Sequence, residues 1–127
     1  MTVSDKANVC QELTSIFEYF RQQLDKVVAG GDTAVYDALD TARAMLVDYA
    51  RNLVNLRKRI VIVTDGADTG SKTSARDVCY ALQRDGIIVD SVQVGDGSDS
   101  KLHAISVATG MSHSLRTVLL EFDIGVL

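Results

Sequence analysis

The residues best suited to chemistry follow a run of four β-branched residues, Ile60–Val63. Asp65 comes two positions after this run, and a loop rich in glycine, serine, threonine and aspartate continues from it to Ser74. An aspartate at the end of a buried strand supplies a hard oxygen, the kind of ligand that suits Mg²⁺ and Mn²⁺. A helix start can add a hydroxyl, and Thr33 is the candidate. Thr33 and Asp65 therefore predict a divalent-cation site in which water fills the remaining positions.

Two other chemistries compete for the same loop. A P-loop needs four residues between its glycines and a lysine directly after the second one, whereas three residues lie between Gly66 and Gly70 and a serine precedes the lysine. An aspartyl nucleophile for phosphotransfer would need a second carboxylate two residues later as its acid–base group. Position 67 is alanine and the next carboxylate is Asp68, so a small α/β phosphotransfer enzyme that uses Asp65 is the alternative function and not the leading one.

Hydrophobic periodicity predicts two helices before this loop. The first starts near Thr14 and ends at the glycine pair 30–31, because glycine readily adopts the left-handed conformation that closes a helix. The second is capped by Asp32 or Thr33. Its apolar stripe has alternating spacings of four and three: Val35, Leu39, Ala42, Leu46, Tyr49 and Leu53.

Strands and helices alternate in the second half of the chain. Ile60–Val63 predicts a strand covered on both faces, and Ile87–Gly95 predicts a second buried strand. A short helix lies between them, another is predicted over Leu102–Gly110, and a last helical pattern spans 115–126. This order is typical of βαβ units in a parallel sheet, whose ligands bind at the carboxyl ends of the strands. Asp65 lies at that edge.

The composition excludes several classes of protein. A chain of 127 residues that is 46% hydrophobic and 24% charged predicts one globular domain. Its net charge of −4 argues against a nucleic-acid surface. No apolar run approaches the ~20 residues of a membrane helix, and no signal peptide is recognisable, so a cytoplasmic location is expected. Cys10 and Cys79 lack metal-ligand spacing and predict free thiols.

Two segments, GGDTAVYDAL and IVIVTDGADTGS, resemble the von Willebrand factor type A family in their order and spacing. The likeness continues through SVQVGDGSDSKLHAISVATG and covers the chain from Asn8 to Gly110. It implies a doubly wound, Rossmann-like, mostly parallel sheet with a metal-ion-dependent adhesion site at its top edge. Thr33 and Asp65 match two of the three metal-binding elements of that site. The implied function is protein binding and not turnover, with a carboxylate of the partner protein completing the metal's coordination.

The third metal-binding element of the family, a DxSxS motif after the first strand, does not precede Thr33. Asp96–Ser100 spells that pattern after a later strand, where a substitute role beside Asp65 is the alternative to an ordinary turn. We therefore expect a single partial domain over 1–127, truncated at its N-terminus, whose sheet lacks strands next to the antiparallel strand predicted at Asn8–Leu13. The bare strand edge would be covered by helices, pair with another chain, or mark a fragment of a longer product.

These expectations lead to predictions about the cofactor and the partner of the chain. With Thr33 and Asp65 alone, affinity for Mg²⁺ or Mn²⁺ is expected to be weak, because such a cation gives up its water reluctantly, and the isolated chain is expected to hold none. The expected partner is a protein, and neither nucleic acid nor a membrane. A structural fragment without any ligand is a further alternative.

The polar neighbours of these two residues have ordinary structural interpretations. Asp68 and Thr69 are expected to be solvated loop residues, and Asp37 is expected to interact with the helix dipole. Tyr36 is expected to pack against a face of the sheet.

Overall fold

The computed structural model describes residues 1–3, 7–9, 12–26, 33–65, 67–95 and 97–110. Residues 100–110 are helical and are called the 100–110 helix. Features predicted at Cys10, at 27–32, at Gly66, at Asp96 and at 111–127 lie outside the described residues. The other elements are, in chain order, β1 (Thr2–Val3), β2 (Ala7–Asn8), α1 (Phe17–Leu24), α2 (Val35–Ala50), β3 (Lys58–Thr64), α3 (Ala75–Arg84) and β4 (Ile87–Gln93).

Strands β3 and β4 form a parallel pair, with Lys58 opposite Ile87 and Thr64 opposite Gln93. Parallel neighbours need a crossover connection, and α3 provides it. Strands β1 and β2 pair in antiparallel fashion beside α2. The antiparallel strand predicted at 8–13 is therefore present, but it is shorter and starts one residue earlier. The predicted α/β class with parallel pairing is confirmed.

One face of the β3/β4 pair carries the core. The sequence defines both ends of helix α3. Ser74 Oγ caps its start by accepting from the Asp77 N–H at 3.1 Å, and Gly86 follows its end with a φ of +66°. Helices α2, α3 and the 100–110 helix all pack on this face. Each contributes apolar side chains that are three or four residues apart, which is about one helical turn. The buried members include Val35, Leu39, Ile62, Val78, Leu82, Ile87, Val89, Leu102 and Ile105.

The 100–110 helix is also tied to the backbone of β4. The Oγ1 atom of buried Thr109 accepts from the Val89 N–H at 3.1 Å and donates to the Ile105 carbonyl at 2.9 Å. The Val89 N–H points to the side of β4 that is away from β3. A further strand would bond to it on that side. A helix side chain therefore satisfies part of the outer edge of β4.

The opposite face of the pair is open in the described structure. Val61 and Val63 of β3 are 63% and 67% exposed, and Val92 of β4 is 48% exposed. The prediction of a β3 strand covered on both faces is therefore wrong for the described residues. Side chains alternate between the two faces along a strand, and all three packed helices lie on the side of Ile62.

Helix α1 differs from its prediction in length and in burial. It begins at Phe17 and not near Thr14, because the Thr14 hydroxyl accepts from the Ile16 N–H in a preceding turn and Ile16 offers no capping atom. The apolar side chains at its start are not buried, since Phe17 is 83% exposed and Phe20 is 49% exposed. Within the described residues, no helix combines the length and the apolarity needed to cross a bilayer.

Candidate functional site

Thr33 lies two residues before α2 and is anchored to the loop that follows β3. Its N–H donates to Thr69 Oγ1 at 3.0 Å, and its carbonyl accepts from the Thr69 N–H at 2.9 Å. The prediction that Thr69 is only a solvated loop residue is therefore wrong, because Thr69 makes two hydrogen bonds to the backbone of Thr33. These two bonds hold the start of α2 at the carboxyl end of β3.

Asp65 follows β3 directly, at the same edge. Its side chain is exposed, and no hydrogen bond or ion pair joins it to any other residue in the described parts of the chain. Because Thr69 is four residues further along the loop, the structure brings the backbones of Thr33 and Asp65 to one edge of the sheet. Ligation of a metal by the two side chains stays a prediction.

Asp68 has a structural role that its sequence did not indicate. One carboxylate oxygen, Oδ1, accepts from the Val35 N–H at 2.7 Å and from the Tyr36 N–H at 3.4 Å. A negative charge at a helix start is favoured by the helix dipole and by the unpaired N–H groups there. Asp68 is thus the cap of α2, supplied from a loop more than thirty residues downstream, and its prediction as a solvated residue is wrong.

Ser71 completes this cap. Its Oγ accepts from the Tyr36 N–H at 2.9 Å and from the Asp37 N–H at 3.0 Å, and it donates to Asp68 Oδ1. The next N–H, of Ala38, bonds to the Ala34 carbonyl at 3.1 Å. The N–H groups of residues 35–38 are therefore all satisfied. The N-cap residue is Ala34 and not Thr33, whose backbone bonds to Thr69; the other predicted cap, Asp32, lies outside the described residues.

The first turn of α2 holds the loop in return. The Asp37 carboxylate accepts from the Lys72 N–H at 3.0 Å and from the Thr73 N–H at 2.8 Å. The Lys72 N–H is the largest cause that lowers the pKa of Asp37, and the Thr73 N–H adds to it. Asp37 therefore interacts with a specific loop in addition to its predicted place near the helix dipole. Loop and helix fix each other in both directions.

Tyr36 and Asp99 extend the cluster to the loop after β4. Buried Tyr36 does not simply pack against the sheet, because its Oη donates to Asp99 Oδ2 at 2.7 Å. Burial, followed by the bond to Asp99 and by its charge, raises the pKa of Tyr36 well above its usual value. Burial also raises the pKa of Asp99, but hydrogen bonds outweigh it and leave that pKa below its usual range. The Tyr36–Asp99 pair thus joins α2 to the 100–110 helix.

Asp99 is the described acidic residue of the DGSDS motif, and protein donors occupy it. Oδ1 accepts from the N–H groups of Lys101 at 2.9 Å and Leu102 at 3.2 Å, and so caps the 100–110 helix. Oδ2 accepts from Tyr36 and from the Asp68 N–H at 3.3 Å. Asp99 stands at a variable position of DxSxS, and Asp96, the aspartate of that pattern, lies outside the described residues, so the substitute metal role of the motif stays a prediction.

Sequence reasoning missed the roles of Asp68, Ser71 and Asp99, and one of the three had a local signal. Asp99 stands just before an apolar helical pattern, where an N-cap is expected. The cap of α2 had no such signal, because capping residues are sought beside the helix that they cap. A cap that comes from a distant loop requires the tertiary fold to be known.

The donor set at the edge suits at most a weak, water-rich cation site. Within the described residues, no three histidine, cysteine, aspartate or glutamate side chains lie close enough together to hold a metal ion. Asp68 and Asp99 serve the backbone and Tyr36, which leaves the Asp65 carboxylate and the Thr33 hydroxyl. Mg²⁺ keeps several waters and often takes only one or two carboxylates from the protein, so these two residues fit such an ion loosely.

Comparison with known proteins gives two matches. Residues 1–120 match the von Willebrand factor type A domain. The chain is also 26% identical over 129 aligned residues to a protein of Acanthamoeba polyphaga mimivirus named "Probable bifunctional E2/E3 enzyme". This alignment covers 98% of the chain but spans only 10% of the length of that relative. Because the family model matches nearly the whole chain, and because the structure has the α/β architecture with parallel strands, the chain belongs to the von Willebrand factor type A domain family.

Proposed function

We propose that this chain is a non-enzymatic protein-binding module with an incomplete metal-ion-dependent adhesion site. The observation that carries the proposal is the exposed Asp65 carboxylate, which has no described partner and stands at the sheet edge to which Thr69 anchors Thr33. Such a carboxylate is available to an ion that a second protein also contacts. Family membership supports a binding role.

The cation in this proposal is Mg²⁺ or Mn²⁺, held weakly. Thr33 and Asp65 supply one neutral and one charged oxygen, and water supplies the others. A carboxylate from the partner protein would replace one of the waters and add the charge that the chain itself lacks. The module therefore binds its partner and the cation together more strongly than it binds the cation alone.

The arrangement of carboxylates speaks against the phosphotransfer alternative. An Asp65 nucleophile would need a neighbouring carboxyl group to protonate the leaving group. The nearest in sequence is Asp68, whose Oδ1 is engaged by the N–H groups of Val35 and Tyr36. These bonds hold the Asp68 carboxylate against the start of α2, and it is not free to approach a leaving group at Asp65.

The viral relative supports a module that accompanies activities located elsewhere. The alignment spans a tenth of a protein named as a bifunctional E2/E3 enzyme. A binding module in a long protein gives this kind of partial match. The partner is proposed to be a protein, and the net charge of −4 gives no support to nucleic acid.

Calorimetric titration with MgCl₂ and MnCl₂ tests the proposal. We expect a dissociation constant of about 1 mM, typical of a site with few protein ligands, and loss of binding in Asp65→Ala and in Thr33→Ala. Asp48→Ala is the matched control, since Asp48 is an exposed carboxylate on α2 that pairs only with Arg51. Equal binding by Asp65→Ala and the unaltered chain would disprove the site, and micromolar affinity would disprove its incompleteness.

A generic phosphate ester tests the enzymatic alternative in the same buffer. We expect no turnover in the presence of Mg²⁺. Turnover that is lost in Asp65→Asn would contradict the binding module and favour the phosphotransfer enzyme.

A further inference from the structure

A shallow groove lies between α3 and the 100–110 helix, outside the cluster that positions Thr33. It encloses about 330 Å³, near the small end of protein ligand sites. Its floor is apolar and comes from both helices: Ala75 and Cys79 on one side, and Ala104, Ile105 and Ala108 on the other. The groove is large enough for one or two side chains of another molecule.

The rim of the groove is positively charged, although the chain as a whole is acidic. Arg76 and Lys101 line it, and no acidic residue does. Each is the second residue of its helix, where the helix dipole adds positive potential. The Arg76 guanidinium lies 5.6 Å from the centroid of the Tyr80 ring, a cation–π distance that holds it at the rim. The apolar floor and the cationic rim together favour a ligand that has both an apolar group and an acidic group.

We propose that this groove docks a segment of a protein partner in which an aliphatic or aromatic side chain neighbours a carboxylate. The apolar side chain lies on the floor beside Cys79 and Ile105. The carboxylate lies between Arg76 and Lys101, which are both exposed and therefore able to reorient toward it. Charge complementarity selects this occupant, because a basic segment would be repelled at the same rim.

This surface goes beyond the proposed cation site and does not depend on it. Helix α3 and the 100–110 helix both begin at the carboxyl edge of the strands, the edge that carries Asp65. One partner protein can therefore contact both places. The groove itself uses cationic side chains in place of a metal ion, so binding there needs no Mg²⁺.

Three pools of nine-residue peptides test the proposal in the presence of EDTA. The first pool combines aspartate and glutamate with leucine, isoleucine and phenylalanine; the second replaces the acids by lysine; the third replaces the apolar residues by serine. Each pool is added before iodoacetamide, and alkylation of Cys79 is read by mass spectrometry on the tryptic peptide 77–84. Cys79 is a half-buried thiol on the groove floor, so an occupant shields it.

We expect the acidic–apolar pool to slow alkylation of Cys79 at least about fivefold and the other two pools to have little effect. Protection by the lysine pool, equal protection by all three, or none at all would overturn the proposal. Arg76→Glu/Lys101→Glu should weaken binding of the best acidic–apolar peptide about tenfold. The control Arg51→Glu/Arg57→Glu makes the same change in charge at exposed positions away from the groove and should bind as the unaltered chain does.

Two further variants separate this proposal from the cation site. Ala104→Trp adds bulk to the floor from an exposed position and should abolish protection while leaving Mg²⁺ binding intact. Asp65→Ala should lose Mg²⁺ binding and keep protection. Loss of protection in Asp65→Ala would contradict an independent groove, whereas unchanged protection with no Mg²⁺ binding by any variant would remove only the proposed cation site.

Discussion

The Asp68 carboxylate joins its own loop to the start of α2. It caps α2 by accepting from the Val35 and Tyr36 N–H groups, accepts from the Ser71 hydroxyl, and also from the Ser71 N–H at 3.3 Å. The exposed Asp65, three residues earlier, has none of these contacts. The two aspartates of one loop are therefore divided between structure and binding.

Replacement of Asp68 should destabilise the fold. Asp68→Ala leaves the α2 N–H groups and the Ser71 hydroxyl short of an acceptor, and we expect the free energy of unfolding to fall by about 1–3 kcal/mol. Asp68→Asn keeps an oxygen acceptor and should lose less. Urea unfolding measures both, with Asp77→Ala as an exposed control on α3. A loss for Asp68→Ala no larger than that for Asp77→Ala would contradict the cap.

Acid should unfold the protein through Asp99 and Asp37. Both have a lower pKa in the folded chain than in the unfolded chain, so the folded state binds fewer protons near their unfolded pKa of about 4. Their stabilising contribution is present above this pH and is lost as pH falls through it. We expect the urea midpoint to drop below about pH 4. A midpoint that is constant down to pH 2.5, well below that pKa, would contradict these two carboxylate networks.

Tyr36 gives the opposite dependence at alkaline pH. Its pKa is raised in the folded chain, so the folded state retains a proton that the unfolded chain loses above about pH 10. Stability should therefore decline as pH rises above this value, and Tyr36→Phe should remove that decline. The same variant should raise the pKa of Asp99, because a hydrogen bond that favours its charged form is gone.

At the scale of elements, the 100–110 helix is fixed to β4 by a side chain in a place where sheets usually use another strand. Thr109 Oγ1 accepts from the Val89 N–H, and both residues are buried. Valine has nearly the shape of threonine and cannot accept a hydrogen bond. Substitution at this position thus isolates the polar contact from the packing.

We expect Thr109→Val to lower the free energy of unfolding by about 1–3 kcal/mol, since it leaves the buried Val89 N–H without an acceptor. Thr109→Ser keeps the oxygen and should lose less. Hydrogen exchange supplies a local readout: the Val89 amide should exchange faster in Thr109→Val. A stability equal to that of the unaltered chain would show that the Val89 N–H finds another partner.

The sequence predicted the elements well where local patterns determine them. The β-branched run Ile60–Val63 forms a strand as predicted, a helix follows it, and the helix predicted over Leu102–Gly110 is present. Burial of the second face of β3 could not be predicted from a β-branched run alone. Which face receives a helix depends on the path of the connections between the strands, and the three described helices that pack on the β3/β4 pair share one side.

The candidate site was predictable only in part, for a related reason. Thr33 and Asp65 stand next to the elements that position them, so motif and spacing found them. Asp68 and Asp99 form hydrogen bonds to α2 from other loops. The sequence does not indicate which helix a distant carboxylate caps. Long-range polar contacts of this kind follow from the fold and do not precede it.

At the scale of the whole molecule, the two faces of the sheet are unequal. In the parts of the chain that the structure describes, one face is covered by three helices, and the other exposes Val61, Val63 and Val92. Exposed apolar strand surface favours association with other proteins or with further copies of the chain. The open face is therefore expected to govern the behaviour of the chain at high concentration.

Analytical ultracentrifugation tests this expectation. The unaltered chain should associate as its concentration rises, and Val61→Thr/Val63→Thr should associate less, because threonine keeps the β-branched shape and adds a hydroxyl. Val54→Thr is the control, since Val54 is 88% exposed and lies in the loop before β3. A chain that sediments as a monomer at every concentration would contradict an exposed apolar face.

The capping of α2 by a later loop also constrains how the chain is made. Synthesis runs from the N-terminus, so α2 leaves the ribosome while Asp68 and Ser71 are still inside or not yet translated. The first turn of a nascent α2 has no acceptor for its N–H groups until β3 and the following loop have emerged. Thr33 therefore reaches its place at the edge that carries Asp65 only after translation has passed Ser71, so this edge of the sheet forms late in the life of the nascent chain.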